Sequence, residues 1–103
     1  GSEVQVCLAD TAELLDSVEQ IAEREKASGN QPVAALIVSC TGRKHALGKK
    51  IHHEVDALTD RFPGLPLVGF PSHGEIAPLR QSNSRCTHNF FHNMTYVLLL
   101  IGP

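Results

Sequence analysis

Val33-Ala34-Ala35-Leu36-Ile37-Val38-Ser39-Cys40-Thr41-Gly42-Arg43 is an unbroken apolar run that stops at Ser39-Cys40 and gives way to a glycine-bearing turn. A run of this kind, rich in Val, Ile and Ala, is the pattern of a strand covered on both faces. Leu47, Ile51, Val55, Leu58 and Phe62 then recur at helical spacing, and Pro63-Gly64 closes that helix before Leu67 to Phe70 begins another strand. Strand, helix and strand in this order make a parallel, right-handed crossover. The turn at Ser39-Cys40-Thr41-Gly42-Arg43 and the segment Gly69-Phe70-Pro71-Ser72-His73-Gly74-Glu75-Ile76 therefore leave the same sheet edge, where open α/β folds gather ligand-binding groups.

Upstream, Val4 to Leu8 alternates like a strand, and Asp10-Thr11-Ala12-Glu13 reads as a helix start with Asp10 as N-cap. Leu14, Leu15, Val18, Ile21 and Ala22 share one helical face, Gly29 supplies a left-handed cap, and Pro32 blocks resumption of the helix. This adds a second strand-helix-strand crossover in front of the first. Beyond Gly74, Ile76 to Leu79 is short and interrupted by Pro78, Gln81 to Ser84 is polar loop, and Met94 to Ile101 is the last strand. The expected fold is thus α/β, a sheet with two strand-helix-strand crossovers followed by antiparallel closing strands.

The 103 residues suffice for one core. Gly1-Ser2 reads as a cloning remnant, which leaves residues 3–103 as a single domain. A net charge of −2 and five aromatic side chains argue against a nucleic-acid footprint, and Lys44, Lys49 and Lys50 are the only basic cluster. Val97 to Ile101, the longest apolar run of the chain's end, is too short to cross a bilayer. Three cysteines, Cys7, Cys40 and Cys86, form neither a disulfide framework nor a zinc knuckle, which points to the cytoplasm.

Asp10, the Cys40 to Arg43 turn and the Ser72 to Glu75 turn converge at the carboxyl ends of their strands, with capping as the local role of Asp10. Gly42, Gly69 and Gly74 allow tight turns and close approach of the backbone to a ligand. Arg43 suits a carboxylate and Glu75 an ammonium, together fitting a zwitterion such as an amino acid; an Arg43–Glu75 salt bridge between the two loops is the alternative. Cys40 sits beside the expected cleft, either as a reactive thiol or as a buried inert one. Six histidines, His45, His52, His53, His73, His88 and His92, raise a metal or haem reading. His52 and His53, being adjacent on a helix, are expected to point apart, and no metal site is expected. No nucleophile elbow, catalytic triad or phosphate-binding loop is present, so no enzyme activity is expected.

Cys40-Thr41-Gly42-Arg43, Glu54, Pro66-Leu67-Val68-Gly69-Phe70, Gly74-Glu75-Ile76-Ala77-Pro78 and Phe91-His92-Asn93-Met94-Thr95 resemble, in order and spacing, the C-terminal domain of the FIST family (F-box and intracellular signal transduction). The resemblance runs from about Val4 to Ile101, with Pro71 where an aromatic is usual and His73 where tyrosine is common. It implies an intracellular sensory domain that binds a small polar, amino-acid-like ligand and signals to a fused or partner output domain. Cys40, Gly42, Arg43, Ser72, His73, Gly74, Glu75, His92 and Asn93 form the implied ligand-binding set, with no cofactor required. A FIST N-terminal domain or an output domain is the implied partner, and an open sheet edge allows a homodimer. Two further readings stay open: a haem- or metal-binding sensor using His73, His92 or Cys40, and a protein-interaction module without a ligand.

Overall fold

The computed structural model describes residues 1–6, 10–80 and 85–103, with the Arg80 side chain left aside. Three helices, α1 (Thr11–Ala27), α2 (Thr41–Leu47) and α3 (His53–Arg61), and five strands, β1 (Ala34–Cys40), β2 (Leu67–Ser72), β3 (Glu75–Arg80), β4 (Cys86–His92) and β5 (Tyr96–Ile101), follow one another in mixed α/β order. Local chemistry accounts for the first helix. Asp10 caps it, its Oδ1 accepting from the Glu13 amide at 2.8 Å, and Ser28 and Gly29 end it, Gly29 at φ 78°.

The second helical region differs from the single helix expected. α2 begins directly at Thr41, so the Cys40 to Arg43 segment is the first turn of a helix rather than a loop. Gly48, at φ 55°, breaks the winding, and a 3-10 turn over Gly48–His52 carries the chain into α3. The break re-aims the apolar stripe: Leu47, Ala57 and Leu58 are buried, whereas Val55 faces solvent.

β1 pairs with β2 in parallel, Ala35 opposite Leu67 through Cys40 opposite Ser72, and with β5 antiparallel, Ala34 opposite Ile101 through Ser39 opposite Tyr96. Gly69 is required at this pairing, because a Cβ there would come within 2.5 Å of the Ile37 carbonyl oxygen. β3 and β4 form a separate two-stranded sheet with a register shift between Pro78 and Arg80. The described residues contain one parallel crossover, not two. Residues 4–6 form no strand, with Val4 and Val6 exposed, and Cys7 and Leu8 lie outside the described residues, as does the polar segment Gln81 to Ser84.

α1 and α3 cover one face of the three-stranded sheet. Val18 and Ala22 of α1, Ala57 and Leu58 of α3, Phe62, Ile37 and Tyr96 make the core, with Ile21, Leu65, Leu67 and Leu98 packed around it. The registers place Leu36, Val38, Val68, Phe70, Val97, Leu99 and Ile101 on the opposite face. There Val68 and Phe70 are 67% and 56% exposed. Among the described residues the doubly apolar pattern of β1 thus meets a helical layer on one side only. No helix among the described residues is long and apolar enough to cross a membrane.

Candidate functional site

The carboxyl ends of β1 and β2, the start of the β3–β4 hairpin and the β4–β5 turn meet at one end of the sheet. Among the described residues three charged side chains are buried, Arg43, Glu54 and Glu75, each about 3% exposed. Buried charges are expensive unless paired and hydrogen-bonded, so their partners define what each does.

Arg43, near the start of α2, points inward beneath α1. Its Nε donates to Glu54 Oε1 at 2.6 Å, its Nη2 to the Leu14 carbonyl at 2.9 Å and its Nη1 to the Met94 carbonyl at 3.3 Å. Glu54 Oε2 accepts from Ser39 Oγ at 2.8 Å, and the Glu54 carbonyl from the Tyr96 hydroxyl at 3.1 Å. Burial, followed by the charge of Glu54, raises the Tyr96 hydroxyl pKa well above its usual value. Arg43 and Glu54 therefore tie α1, α2, α3, β1 and β5 into one frame. The alternative Arg43–Glu75 bridge is not formed, because the helix turns Arg43 toward α1 and the opening turn of α3 puts Glu54 in its path.

Glu75 is partnered differently. Its Oε2 accepts from Ser72 Oγ at 2.7 Å, while Oε1 is buried without a hydrogen-bond partner. An orphaned buried oxygen of this kind calls for a reason. Around it the chain is closely tied: Thr41 Oγ1 donates to the Ser72 carbonyl at 2.9 Å, Ser72 lies opposite Cys40, and Glu75 lies opposite His92. Gly74 lies against the Phe91 ring, where a Cβ would come within 2.7 Å of Cε2.

The remaining expected residues fall nearby in different roles. Cys40 is buried, and its Sγ donates to Asn93 Oδ1 at 3.6 Å. Asn93 Oδ1 also accepts from the Met94 amide at 3.0 Å, which steadies Met94 in the left-handed region at φ 59°. Gly42 packs against the Met94 thioether. His92 donates from Nε2 to the Ala77 carbonyl at 2.9 Å, and His73 is exposed in the link between β2 and β3. Two hollows flank this end: one of about 860 Å³ lined in part by Arg43, Ala77, His92 and Met94, the other of about 490 Å³ lined in part by Cys40, Glu54 and Pro71. Glu75 lines neither of them.

Sequence reasoning named Glu54 among the residues of the family resemblance but placed neither it nor Tyr96 in the site. The further signal for Glu54 was an acid one turn before Leu58 on the apolar stripe; Tyr96 had none beyond opening an apolar strand. The expectation that His52 and His53 diverge is also corrected, since their ring centroids lie 4.3 Å apart.

Two relatives, the uncharacterized proteins MT0656 and Rv0628c of Mycobacterium tuberculosis strains CDC 1551 and H37Rv, are each 30% identical over 101 residues, 97% of this chain and 25% of theirs. The chain thus spans about a quarter of the length of these relatives. No solved structure matches it. The family model for the FIST C domain matches residues 1–78, which takes in Arg43, Glu54 and Glu75 and leaves β4 and β5 beyond its end. With three quarters of its length matched, including every buried charge of the site, the chain belongs to the FIST C domain family, a family associated with sensory domains of signal transduction.

Proposed function

We propose that the chain senses a small polar molecule carrying an ammonium group, amino-acid-like in that respect, and that Glu75 receives it. The observation that carries this reading is the unpartnered, buried Oε1 of Glu75. A ligand N–H placed there would satisfy an oxygen whose desolvation otherwise costs about 1–3 kcal/mol. Ser72, Gly74, Asn93 and Cys40 would shape the surroundings, while Arg43, its Nε, Nη1 and Nη2 each already bonded, would hold the frame rather than the ligand. Among the described residues the hairpin shares no strand pairing with the three-stranded sheet, so it is the element whose position ligand contact at Glu75 would bias, passing occupancy to an output domain.

The test is a thermal-shift screen against amino acids, simple amines, carboxylates and nucleotides, with Glu75→Gln in parallel. At about a hundredfold excess over Kd a ligand adds roughly 2.7 kcal/mol, on the order of 10–20 °C for a domain of this length. Ammonium-bearing compounds are expected to raise the melting temperature of the parent. Glu75→Gln should melt at the same temperature or higher and lose the response, since removal of the buried charge relieves the apo protein. A shift that survives Glu75→Gln, or no shift from any class, overturns the reading.

A second reading has its own observation, the uncovered apolar face bearing Val68, Phe70, Leu99 and Ile101. On that reading the domain docks a protein partner and needs no ligand. Phe70→Asp would then abolish the complex, while Glu75→Gln would leave it intact.

A further inference from the structure

The junction between α2 and α3 carries a cluster separate from the Glu75 site. Residues three and four apart on a helix are neighbours, and Asp56 stands at that distance from both His53 and His52. Asp56 Oδ2 lies 3.9 Å from His52 Nε2 and 3.8 Å from His53 Nδ1. One donor atom from each of the three side chains falls within 4.8 Å of the others.

A second contact, outside the cluster, fixes the tautomer of the neutral His52 ring. Its Nδ1 lies 2.7 Å from the Lys49 carbonyl oxygen. A carbonyl only accepts, so Nδ1 carries the hydrogen, and the neutral ring presents a lone pair at Nε2. Nε2 and the Asp56 carboxylate then face one another as two acceptors. They are too far apart for a direct hydrogen bond and are held there by the helix start. A histidine whose other nitrogen donates to a backbone carbonyl is the usual arrangement of an imidazole that ligates a metal.

We propose that His52, His53 and Asp56 bind a borderline first-row divalent cation, zinc, cobalt or nickel. Two imidazoles and one carboxylate favour these ions over calcium and magnesium, which take oxygen-rich sites. Metal bonds of about 2.0–2.2 Å bring donor atoms to roughly 3.0–3.5 Å apart. Rotamer adjustment supplies that closure, because the three side chains are 62%, 48% and 50% exposed and have room to move. Three protein ligands leave open positions for water or for a group from a partner. Exposed Lys49 and Lys50 lie beside the site and oppose the cation, so affinity on the order of micromolar is expected rather than that of a closed structural zinc site.

The experiment is titration of the metal-free chain with cobalt and zinc chlorides, read by cobalt ligand-field absorption, by calorimetry and by the imidazole proton resonances of the six histidines. One equivalent should bind and shift the His52 and His53 resonances. His53→Ala and Asp56→Asn should each weaken binding about tenfold or more. All three side chains are solvent-facing, so the variants should melt as the parent does without metal. His88→Ala should bind unchanged. Absence of binding, resonance shifts confined to other histidines, or affinity unaltered in both His53→Ala and Asp56→Asn overturns the proposal.

Discussion

Arg43→Met separates a structural role from a ligand-binding role for this side chain. The substitution keeps the apolar stem and removes the guanidinium. The Leu14 carbonyl still accepts from Ser17 Oγ at 2.7 Å, and Glu54 Oε2 keeps its bond from Ser39. What is stranded is Glu54 Oε1, on a carboxylate only about 3% exposed, together with the Met94 carbonyl. Breaking a buried ion pair from one side costs about 3–5 kcal/mol, because the surviving charge is left without compensation. A domain of this length has about 5–15 kcal/mol of stability in all, so the loss is a fifth or more, on the order of 12–40 °C in melting temperature. Urea denaturation followed by circular dichroism measures it. Arg43→Met combined with Glu54→Leu removes both charges and should return to within about 2 kcal/mol of the parent. A cost below about 1 kcal/mol for Arg43→Met alone, or single-variant costs that simply add in the double variant, would refute the argument.

Two other outcomes rest on the packing of the same sheet. Burial raises the Tyr96 pKa, so the folded chain keeps the phenol proton at pH values where the unfolded chain, at about 10, loses it. Stability should hold below about pH 10 and fall as pH rises beyond it; Tyr96→Phe should lose about 1 kcal/mol at neutral pH with the bond to Glu54 and flatten the alkaline fall. With one tyrosine and no tryptophan in the chain, tyrosinate absorbance reads this group alone and should appear only as the protein unfolds. Gly69→Ala should destabilise by about 1–3 kcal/mol in the same denaturation assay, because its Cβ meets the Ile37 carbonyl within the β1–β2 pair; an unchanged midpoint would contradict the register.

Helix α1 was legible to its ends because its signals are local: Asp10 at the start, an apolar residue every third or fourth position, and Gly29 at the stop. The parallel β1–β2 pair was legible for a related reason, two apolar runs with a helix-length connection that admits one handedness. The break at Gly48 was missed because an apolar stripe keeps its spacing through a 3-10 turn while its direction changes. The strand expected at Val4 to Leu8 failed over residues 4–6, where alternation alone gave no partner strand to pair with.

For the site, composition and strand order were enough to bring the Cys40 to Arg43 and Ser72 to Glu75 segments to one edge, since the direction of parallel strands settles where their ends lie. They were not enough to pair the charges. Arg43 and Glu54 meet because Gly48 redirects the chain between them, and the Arg43 guanidinium, once engaged there, has no bond to Glu75. A mixed α/β fold and the neighbourhood of the site could be read along the chain, because periodicity and chain direction are local properties. That Arg43 is a frame residue and that Glu75 keeps one oxygen unsatisfied could not, because the partner of a buried charge depends on distances that no spacing along the chain contains.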